Sequence, residues 1–435
     1  DHAFHHRVFR AIREAESQAQ KPIAILQDLP GPKLRIGKFS GGEITLTTGS
    51  HFQLVKDLPL GDSEKVGFED VGWFEEVKTG DRILLGDGNV VLKVISKSEG
   101  RLTTSVVSGG KVRSQWGLAL PDSQLSLRAL TPRDEDHLLL GLEWGVDAVA
   151  LSFVSDEEDL HRARHFIQAH ISEAHLSPLL IAKIERPDAL EHIQSIIEAA
   201  DGIMVARGDL GITLPIERLP TLQKELIRLA RQKGRVVITA TQMLESMTYS
   251  ARPTRAEVTD VANAVYDGTD AVMLSGETAV GVDPVNVVET MHRILEEAEP
   301  NAHFPPLTQE DRSVESAIAD AVGYLVKDLS ARAVLVPLTS GSTAARISRL
   351  RLGVPILAGV RDLPSARQTL LRWGTVPFLT PTENSFYQSI HTALETATRL
   401  GWVSKGERVV ATGGFPLDRP GITNFVRVVT WGEEI

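Results

Sequence analysis

The sequence contains no cysteine among its 435 residues. Disulfide bonds and thiolate metal sites are therefore excluded, and a cytoplasmic protein is favoured. No apolar run approaches the length of a membrane span and no signal peptide is visible, so we expect no membrane partner. Basic residues are outnumbered, 46 against 57 acidic ones, and the net charge of −11 argues against nucleic acid as a partner. The 13 histidines are scattered and predict no histidine metal site.

What the sequence does contain is a series of short apolar runs that end in polar residues. Runs rich in branched residues, separated by helical segments such as 220–233 and 256–267, predict buried strands of a parallel sheet. Polar residues at the carboxyl ends of many such strands are typical of the active-site face of a (β/α)8 TIM barrel. An open doubly wound sheet is the alternative, but it concentrates its site at one switch point. The runs are residues 23–27, 148–151, 179–181, 202–206, 236–240 and 271–274.

These six runs are two fewer than the strands of a closed barrel of this type. The chain also opens on a helical stripe of Phe4, Val8, Phe9 and Ile12, with no initiator methionine. We therefore expect the first two barrel strands to precede Asp1 in a longer natural protein.

Two changes of composition divide the chain. Residues 37–124 contain short alternating strands with glycine-rich turns, which predict a small β-barrel lid domain inserted into the barrel. Thr131, Pro132 and Asp134 predict the start of the next barrel helix. A proline-rich linker at 300–306 precedes helices and three further predicted strands at 333–337, 354–358 and 408–411. The predicted domains are a barrel of residues 1–36 and 125–303, a β lid of residues 37–124, and a C-terminal α/β domain of residues 304–435.

The segment 181–185, IAKIE, ends an apolar run with two charged residues. Lys183 and Glu185 are two apart on a strand, so they project from the same face. Burying a cation and an anion there is costly unless they bind something. A lysine beside a carboxylate suits a metal-bound phosphoryl group, with the carboxylate on the ion and the ammonium on the phosphate. The alternative is a simple ion pair that caps the strand.

Six segments combine glycine, proline and charged residues: DLPGPKLR at 28–35, AKIER at 182–186, ARGDLG at 206–211, ATQMLESM at 240–247, RPTRAE at 252–257 and LSGETA at 274–279. In this order, and together with the β insertion and the last domain, they resemble the pyruvate kinase family. The resemblance implies transfer of the phosphoryl group of phosphoenolpyruvate to ADP, giving pyruvate and ATP, by an allosteric homotetramer. Two alternatives are a catalytically silent relative that binds effector, and a barrel enzyme that cleaves carbon–carbon bonds through a pyruvate enolate.

The resemblance also implies roles for individual residues. Glu185 and Asp209 would hold a divalent ion, Mg²⁺ or Mn²⁺, and Lys183 would neutralise charge on the transferring phosphoryl group. The backbone amides of Gly208 and Asp209 would bind the substrate carboxylate. Thr241 would orient the water that protonates the enolate, because a threonine hydroxyl is too weak an acid alone. Thr241 could instead be a packing residue of the barrel.

The segment 28–35 departs from the family pattern. Members that require K⁺ typically read DTKGPE where this chain has Asp28, Leu29, Pro30 and Lys33. A lysine ammonium can supply the charge that the monovalent ion brings, so we predict activity without K⁺. The alternative is that Lys33 is a solvated loop charge. The family's arginine and its potassium-binding asparagine and serine would precede Asp1.

Other residues receive roles from the same resemblance. Asp87 and Arg35 are assigned to the nucleotide and the lid, although a type I′ turn explains Asp87 as well, and Glu277 is expected to orient its neighbours. A loop that precedes a helix in the last domain is suited to bind the phosphate of a small-molecule effector. The alternative is that it only caps the helix. This loop is Thr339, Ser340, Gly341, Ser342 and Thr343, with Arg419 expected on the facing wall and Arg346, Arg349 and Arg351 adding positive charge.

Overall fold

The computed structural model describes most of the chain. Among the described residues, no helix has both the length and the apolar character to cross a bilayer. The described ranges are 1–69, 72–86, 88–123, 127–173, 175–305, 307, 313–337, 341–380, 386–414 and 422–433, without the Phe386 side chain.

The chain begins with helix α1, His2–Ala19, and strand β1, Leu26–Asp28. Asp1 caps the helix, since its side chain accepts a hydrogen bond from the Ala3 amide at 2.9 Å. The predicted apolar stripe on this helix is only partly buried. Phe9 contacts the ring of Trp144, whereas Phe4 is 54% exposed.

A β domain follows, as predicted. Six strands form one sheet in the order β4-β3-β7-β6-β5-β9, and β2 pairs with β8. Their buried faces share a core that includes Phe52, Leu54 and Trp73. The strands are β2 Glu43–Leu46, β3 His51–Lys56, β4 Lys65–Phe68, β5 Arg82–Leu85, β6 Val90–Ser98, β7 Arg101–Ser108, β8 Gly110–Arg113 and β9 Leu118–Ala119.

The barrel elements then alternate strand and helix. Thr131 forms the predicted capping box with Asp134 at the start of α2. The elements are α2 Pro132–Trp144, β10 Ala148–Leu151, α3 Glu157–His170, β11 Leu179–Ile184, α4 Pro187–Glu191, α5 Ile193–Ala199, β12 Gly202–Ala206, α6 Arg207–Thr213, α7 Leu219–Gln232, β13 Val236–Ala240, α8 Arg255–Asp267, β14 Ala271–Val272, α9 Gly276–Ala279 and α10 Pro284–Ala298.

The six predicted strands form one parallel sheet in the order β1-β10-β11-β12-β13-β14. Its register aligns the carboxyl ends of neighbouring strands: Leu151 pairs with Ala182, so the next residues, Ser152 and Lys183, lie level. Parallel strands with helical crossovers therefore collect their following residues at one edge. Two further strands before Asp1, and the boundaries drawn between the domains, stay predictions.

The last part of the chain is an α/β domain. Four parallel strands and the antiparallel β19 have the order β17-β16-β15-β18-β19. Strands β17 and β19 were not predicted; β17 is an edge strand that contains Pro377, and proline obscures a strand pattern. The elements are α11 Val314–Asp328, β15 Val334–Val336, α12 Ser342–Ser348, β16 Ile356–Val360, α13 Leu363–Thr369, β17 Thr375–Leu379, α14 Phe386–Arg399, β18 Arg408–Gly413 and β19 Phe425–Thr430.

Candidate active site

Lys183 lies at the end of β11 and contacts residues at the ends of β1 and β10. Its Nζ is 3.0 Å from Asp28 Oδ1 and 3.0 Å from Glu185 Oε1. It also donates to Ser152 Oγ at 2.8 Å, and that hydroxyl in turn donates to the Leu29 carbonyl at 2.6 Å. The ammonium is therefore held by side chains at the carboxyl ends of three different strands.

The charges of Lys183 and Glu185 depend on burial and on each other. Burial lowers the pKa of Lys183, but Glu185 and Asp28 outweigh it, and the net pKa lies above the ordinary value. Burial raises the pKa of Glu185, and the charge of Asp209 adds to this, while Lys183 opposes it. The lysine thus stays an ammonium, and a further cation bound at Glu185 would offset both the burial of its carboxylate and the charge of Asp209.

Glu185 is fixed as well as buried. Its Oε2 accepts a hydrogen bond from the Phe153 amide at 2.7 Å, and the residue is 3% exposed. Phe153 has a φ of 58°, in the left-handed region that non-glycine residues rarely adopt. The backbone after β10 is thus bent so that its amide binds the carboxylate that follows β11.

A cavity of about 350 Å³ lies between the barrel edge and the β domain. Glu185 and Asp209 both line it, and acidic side chains in its wall outnumber basic ones. Lys183 forms an ion pair with Glu185 in this wall. Thr241 accepts a hydrogen bond from the amide of Gly208, the residue before Asp209. Glu185 and Asp209 therefore line one cavity, and Lys183 is in contact with Glu185; the roles predicted for these residues stay predictions.

The residues of this cavity fit a divalent ion that the substrate helps to hold. Among the residues that the structure describes, no group of three His, Cys, Asp or Glu forms a complete metal cage. Mg²⁺ in phosphate-transfer sites is typically bound by one or two carboxylates, with substrate oxygens and waters in the other positions. Glu185 and Asp209, two carboxylates close enough for Asp209 to raise the pKa of Glu185, match that donor set.

Thr241 follows β13 in an unusual conformation. Its φ is 69° and that of Gln242 is 53°. A left-handed β-branched residue costs about 1–3 kcal/mol and persists only where its surroundings fix it. The Thr241 hydroxyl donates to the Ala240 carbonyl at 2.7 Å and accepts from the Gly208 amide at 2.8 Å. Binding a substrate carboxylate through the Gly208 amide therefore requires exchange of this bond.

Glu277 has the contacts expected of an orienting residue. It is 2% exposed, and its carboxylate accepts from the Leu244 amide at 3.0 Å and from the Ser275 amide at 2.7 Å. The side chain therefore ties the loop after β13 to the loop after β14.

The residues of the segment 28–35 lie in different surroundings. Leu29 is buried in the barrel core, whereas Lys33 is exposed and lines the cavity. Arg35 donates from Nη1 to the Gln115 carbonyl of the β domain at 2.8 Å. Asp87 lies outside the described residues, so its assignment to the lid stays a prediction.

The predicted effector loop is described in part. Gly341 precedes α12 with a φ of 100°, Ser342 begins the helix, and the buried Thr343 hydroxyl is 2.7 Å from that of Thr423. Thr339, Ser340 and Arg419 lie outside the described residues.

The expectation that Arg349 and Arg351 add charge to this loop is wrong. Arg349 donates to the Gln232 carbonyl at 3.1 Å, and Arg351 pairs with Asp270 at 2.9 Å. Both residues follow the carboxyl end of α12, whose dipole is negative, and they face acceptors of the barrel instead. They join the C-terminal domain to the barrel.

Four residues with polar contacts at this edge were given no role from the sequence. Ser152 holds Lys183, Phe153 binds Glu185, Arg186 pairs with Asp188 in the cavity wall, and Arg207 donates to the Thr241 carbonyl. Ser152, Phe153 and Arg207 follow an apolar run within two residues, so the position rule that selected Lys183 and Asp209 could have found them. Arg186 lies five residues beyond the run 179–181 and does not meet that rule.

Comparisons with known proteins identify the family of the chain. The profile of the family described as "Pyruvate kinase, barrel domain" matches residues 1–288, and that of "Pyruvate kinase, alpha/beta domain" matches residues 316–429. A pyruvate kinase of Agrobacterium vitis is 40% identical over 98% of this chain and 90% of its own length. That of Geobacillus stearothermophilus is 38% identical over 98% of this chain and 74% of its own length.

A crystal structure shows the same relationship in three dimensions. A pyruvate kinase from Cryptosporidium parvum superposes with a TM-score of 0.92 at 30% identity, covering 99% of this chain and 88% of that one. The resemblance found in the six sequence segments and the fold class are thereby confirmed. The chain belongs to the pyruvate kinase family.

Proposed function

We propose that the protein transfers the phosphoryl group of phosphoenolpyruvate to ADP, giving pyruvate and ATP. Family membership makes the chain a phosphotransferase. The observation that carries the specific reaction is the grouping of the Lys183 ammonium with Glu185 beside the cavity that Glu185 and Asp209 line. An anionic phosphoryl donor needs a cation at its phosphate and a metal ligand set beside it, and this grouping supplies both.

Glu185 and Asp209 would hold Mg²⁺ or Mn²⁺. When bound, the ion supplies positive charge to the oxygens of the substrate and of the group in transfer. The side chains then have distinct tasks. The carboxylate of Glu185 is fixed in advance by the Phe153 amide, so little reorganisation accompanies binding. Lys183 is held by Ser152 and Asp28 and would supply a compact positive charge to the phosphoryl group.

Thr241 would act after the phosphoryl group has left. The bond from the enol oxygen to phosphorus breaks, a bond from phosphorus to the terminal oxygen of ADP forms, and an enolate remains. A proton from water must then join the methylene carbon to form the methyl group, while the carbonyl forms again. Because the Thr241 hydroxyl donates its hydrogen bond to the Ala240 carbonyl, a lone pair of its oxygen can accept a hydrogen bond from this water and orient it.

The reaction is tested by incubating the protein with phosphoenolpyruvate, ADP and Mg²⁺ and measuring pyruvate and ATP. Equal amounts of both products support the proposal. Lys183→Met should lower turnover by about 10²-fold or more, since it removes a charge from the transferring group. The control is Lys38→Met, an exposed lysine that does not line the cavity. Binding of phosphoenolpyruvate without any turnover would contradict the proposal and favour a silent relative.

Potassium independence is the second part of the proposal. Lys33 is exposed and lines the same cavity as Glu185 and Asp209, so its ammonium can add charge there. Turnover in tetramethylammonium salt should match turnover in potassium salt. Lys33→Glu should create a requirement for K⁺, and Lys38→Glu should not. Strict dependence of the unmodified protein on K⁺ would overturn this part alone.

The loop before α12 would bind a phosphorylated small-molecule effector. Gly341 leaves the backbone free to turn, and Ser342 and Thr343 bring hydroxyls to the helix start. Titration with fructose 1,6-bisphosphate, AMP and ribose 5-phosphate should reveal at least one ligand that shifts the substrate dependence. A Thr343→Val variant should lose that shift and keep basal turnover; absence of any response would contradict the assignment.

We also propose that the protein assembles as a homotetramer. Several apolar side chains are exposed near the start of α10, including Tyr249 at 86%, Val280 at 76% and Val285 at 67%. The Val282 amide donates to the Thr248 carbonyl at 3.2 Å, which brings these segments together. An apolar surface of this kind suits a second copy of the chain. Light scattering should show a tetramer, and Val285→Asp should give smaller species; an unmodified monomer would contradict this.

A further inference from the structure

The left-handed turn at Thr241 is held by one arginine. Arg207 begins α6, directly after β12, and its guanidinium reaches the end of the neighbouring strand β13. Its Nη2 donates to the Thr241 carbonyl at 2.5 Å, and its Nε donates to the Ala240 carbonyl at 3.2 Å. Both carbonyls that flank the strained Thr241 backbone are thus fixed by the same planar group.

The guanidinium is itself anchored from a third element. Its Nη1 is 2.6 Å from Asp260 Oδ2 and 2.8 Å from Oδ1, and Asp260 lies on α8. The same nitrogen is 3.4 Å from Gln223 Oε1 on α7. The side chain of Arg207 is 12% exposed and that of Asp260 is 36% exposed, so the guanidinium is buried while its carboxylate partner reaches the surface. Arg207 therefore has a fixed position from which to impose a conformation on Thr241.

The residue after Arg207 completes the arrangement. Until a substrate carboxylate takes the Gly208 amide, that amide donates to Thr241 Oγ1 at 2.8 Å, so consecutive residues hold the backbone and the hydroxyl of Thr241. The hydroxyl also donates to the Ala240 carbonyl, which Arg207 contacts. The direction of the Thr241 lone pairs is thus coupled to the guanidinium through one shared acceptor.

We propose that Arg207, anchored by Asp260, is a positioning residue that sets the Thr241 hydroxyl for protonation of the enolate. This inference rests on the proposed function. It assigns no contact between Arg207 and substrate: Arg207 acts through Thr241. Loss of the arginine should therefore affect proton delivery to carbon more than phosphoryl transfer.

The test uses Arg207→Lys. A lysine keeps the charge toward Asp260, but its compact ammonium cannot span the two carbonyls and the carboxylate as the planar fork does. Exchange of the pyruvate methyl protons with D₂O, followed by NMR in the presence of ATP and Mg²⁺, reports proton transfer at carbon. ATP formation from phosphoenolpyruvate and ADP reports phosphoryl transfer. We expect methyl exchange to fall about 10- to 100-fold, while ATP formation falls less than about threefold.

Two further variants exclude a general structural effect. Asp260→Asn keeps the arginine but weakens its anchor, and should give a smaller loss of methyl exchange. Thr241→Ala should lose methyl exchange itself, and adding Arg207→Lys to it should cause no further loss, because both changes act on one group. The matched control is Arg164→Lys. Arg164 also bonds a carbonyl and an aspartate, Ala199 at 3.0 Å and Asp201 at 3.1 Å, at the opposite end of the sheet.

The outcomes separate this inference from the proposed function. An unmodified protein that forms no ATP from phosphoenolpyruvate overturns the proposed function and this inference with it. An active protein in which Arg207→Lys leaves methyl exchange unchanged, or lowers exchange and ATP formation equally, overturns the positioning role alone. Additive losses in the double variant with Thr241→Ala would also overturn it.

Discussion

Replacing Lys183 by methionine removes an ammonium that lies between the buried Glu185 and the exposed Asp28, while keeping an unbranched side chain. The ammonium is 3.0 Å from both Asp28 and Glu185, and Glu185 is 3% exposed. After the change, the Glu185 carboxylate keeps the Phe153 amide but loses its cation. We expect the variant to fold less stably, and to do so in a manner that depends on pH.

The size of this effect follows from the burial of the pair. Breaking a buried ion pair by removing one partner costs about 3–5 kcal/mol. Here a lower figure of about 2–3 kcal/mol applies, since Lys183 is 13% exposed and Glu185 can take up a proton. For a domain of roughly 200 residues, this corresponds to a thermal midpoint lower by roughly 4–12 °C.

The sign of the pH dependence follows from the two pKa shifts. The pKa of Lys183 is raised above 10.5, so its contribution is present throughout the neutral range and is lost only as the pH rises through the folded-state pKa. The pKa of Glu185 is raised above 4.5, so the native state holds this proton more tightly than the unfolded state. The stability that this group contributes is therefore present at low pH. It is lost as the pH rises through the window between the unfolded-state and the folded-state pKa of Glu185.

Lys183→Met should widen that window, because the cation that favours ionised Glu185 is gone. The assay is thermal unfolding without divalent ions at pH 5.5 and pH 8, and the deficit of the variant should be larger at pH 8. Adding Glu185→Gln to the variant should recover part of the stability and remove the difference between the two pH values. Equal deficits at both pH values would refute the reasoning.

Two other predictions concern stability. Arg351→Met should remove the ion-pair partner of the buried Asp270 carboxylate and lower the free energy of unfolding by about 3 kcal/mol. Calorimetry should show a lower thermal midpoint and separate transitions for the barrel and the C-terminal domain. Gly31→Ala should destabilise the protein and reduce turnover, because the φ of Gly31 is 65° and a Cβ there would lie 2.9 Å from Ser152 Cβ, beside Lys183; thermal unfolding and steady-state kinetics measure both effects.

Each of these has a matched control. Arg332→Met breaks an exposed ion pair with Glu407, and should change the midpoint little. Gly49→Ala places a Cβ at a φ of 85° with open space around it, so it reports backbone strain without a clash. Controls that lose as much stability as the test variants would contradict the structural explanation.

The strands of the barrel were predictable because their signal is local. A buried parallel strand is a continuous apolar run in the sequence. In a barrel, the residue at which the run stops lies at the carboxyl edge of the sheet, and this position does not depend on contacts with distant segments. Lys183 and Asp209 were found in this way. Strand β17 was missed because Pro377 interrupts its pattern, and a proline is tolerated only where the strand lies at an edge.

Contacts between distant segments could not be predicted in the same way. Nothing in the sequence near Thr241 requires a left-handed backbone; Arg207 and Gly208, more than thirty residues earlier, hold it there. The direction of Arg351 depends on Asp270, which lies on the barrel. Tertiary contacts of this kind override local preferences, so the sequence located the site but not the bonds that shape it.

Binding of Mn²⁺ in the presence of phosphoenolpyruvate, followed by electron paramagnetic resonance, tests the central claim most directly. If Glu185 and Asp209 share one cation beside Lys183, Glu185→Gln and Asp209→Asn should each weaken Mn²⁺ binding by about tenfold or more. Lys183→Met should bind the ion at least as tightly as the unmodified protein, because a nearby positive charge is gone. The same variant should form ATP much more slowly than the unmodified protein. Unchanged Mn²⁺ affinity in both carboxamide variants would contradict the account.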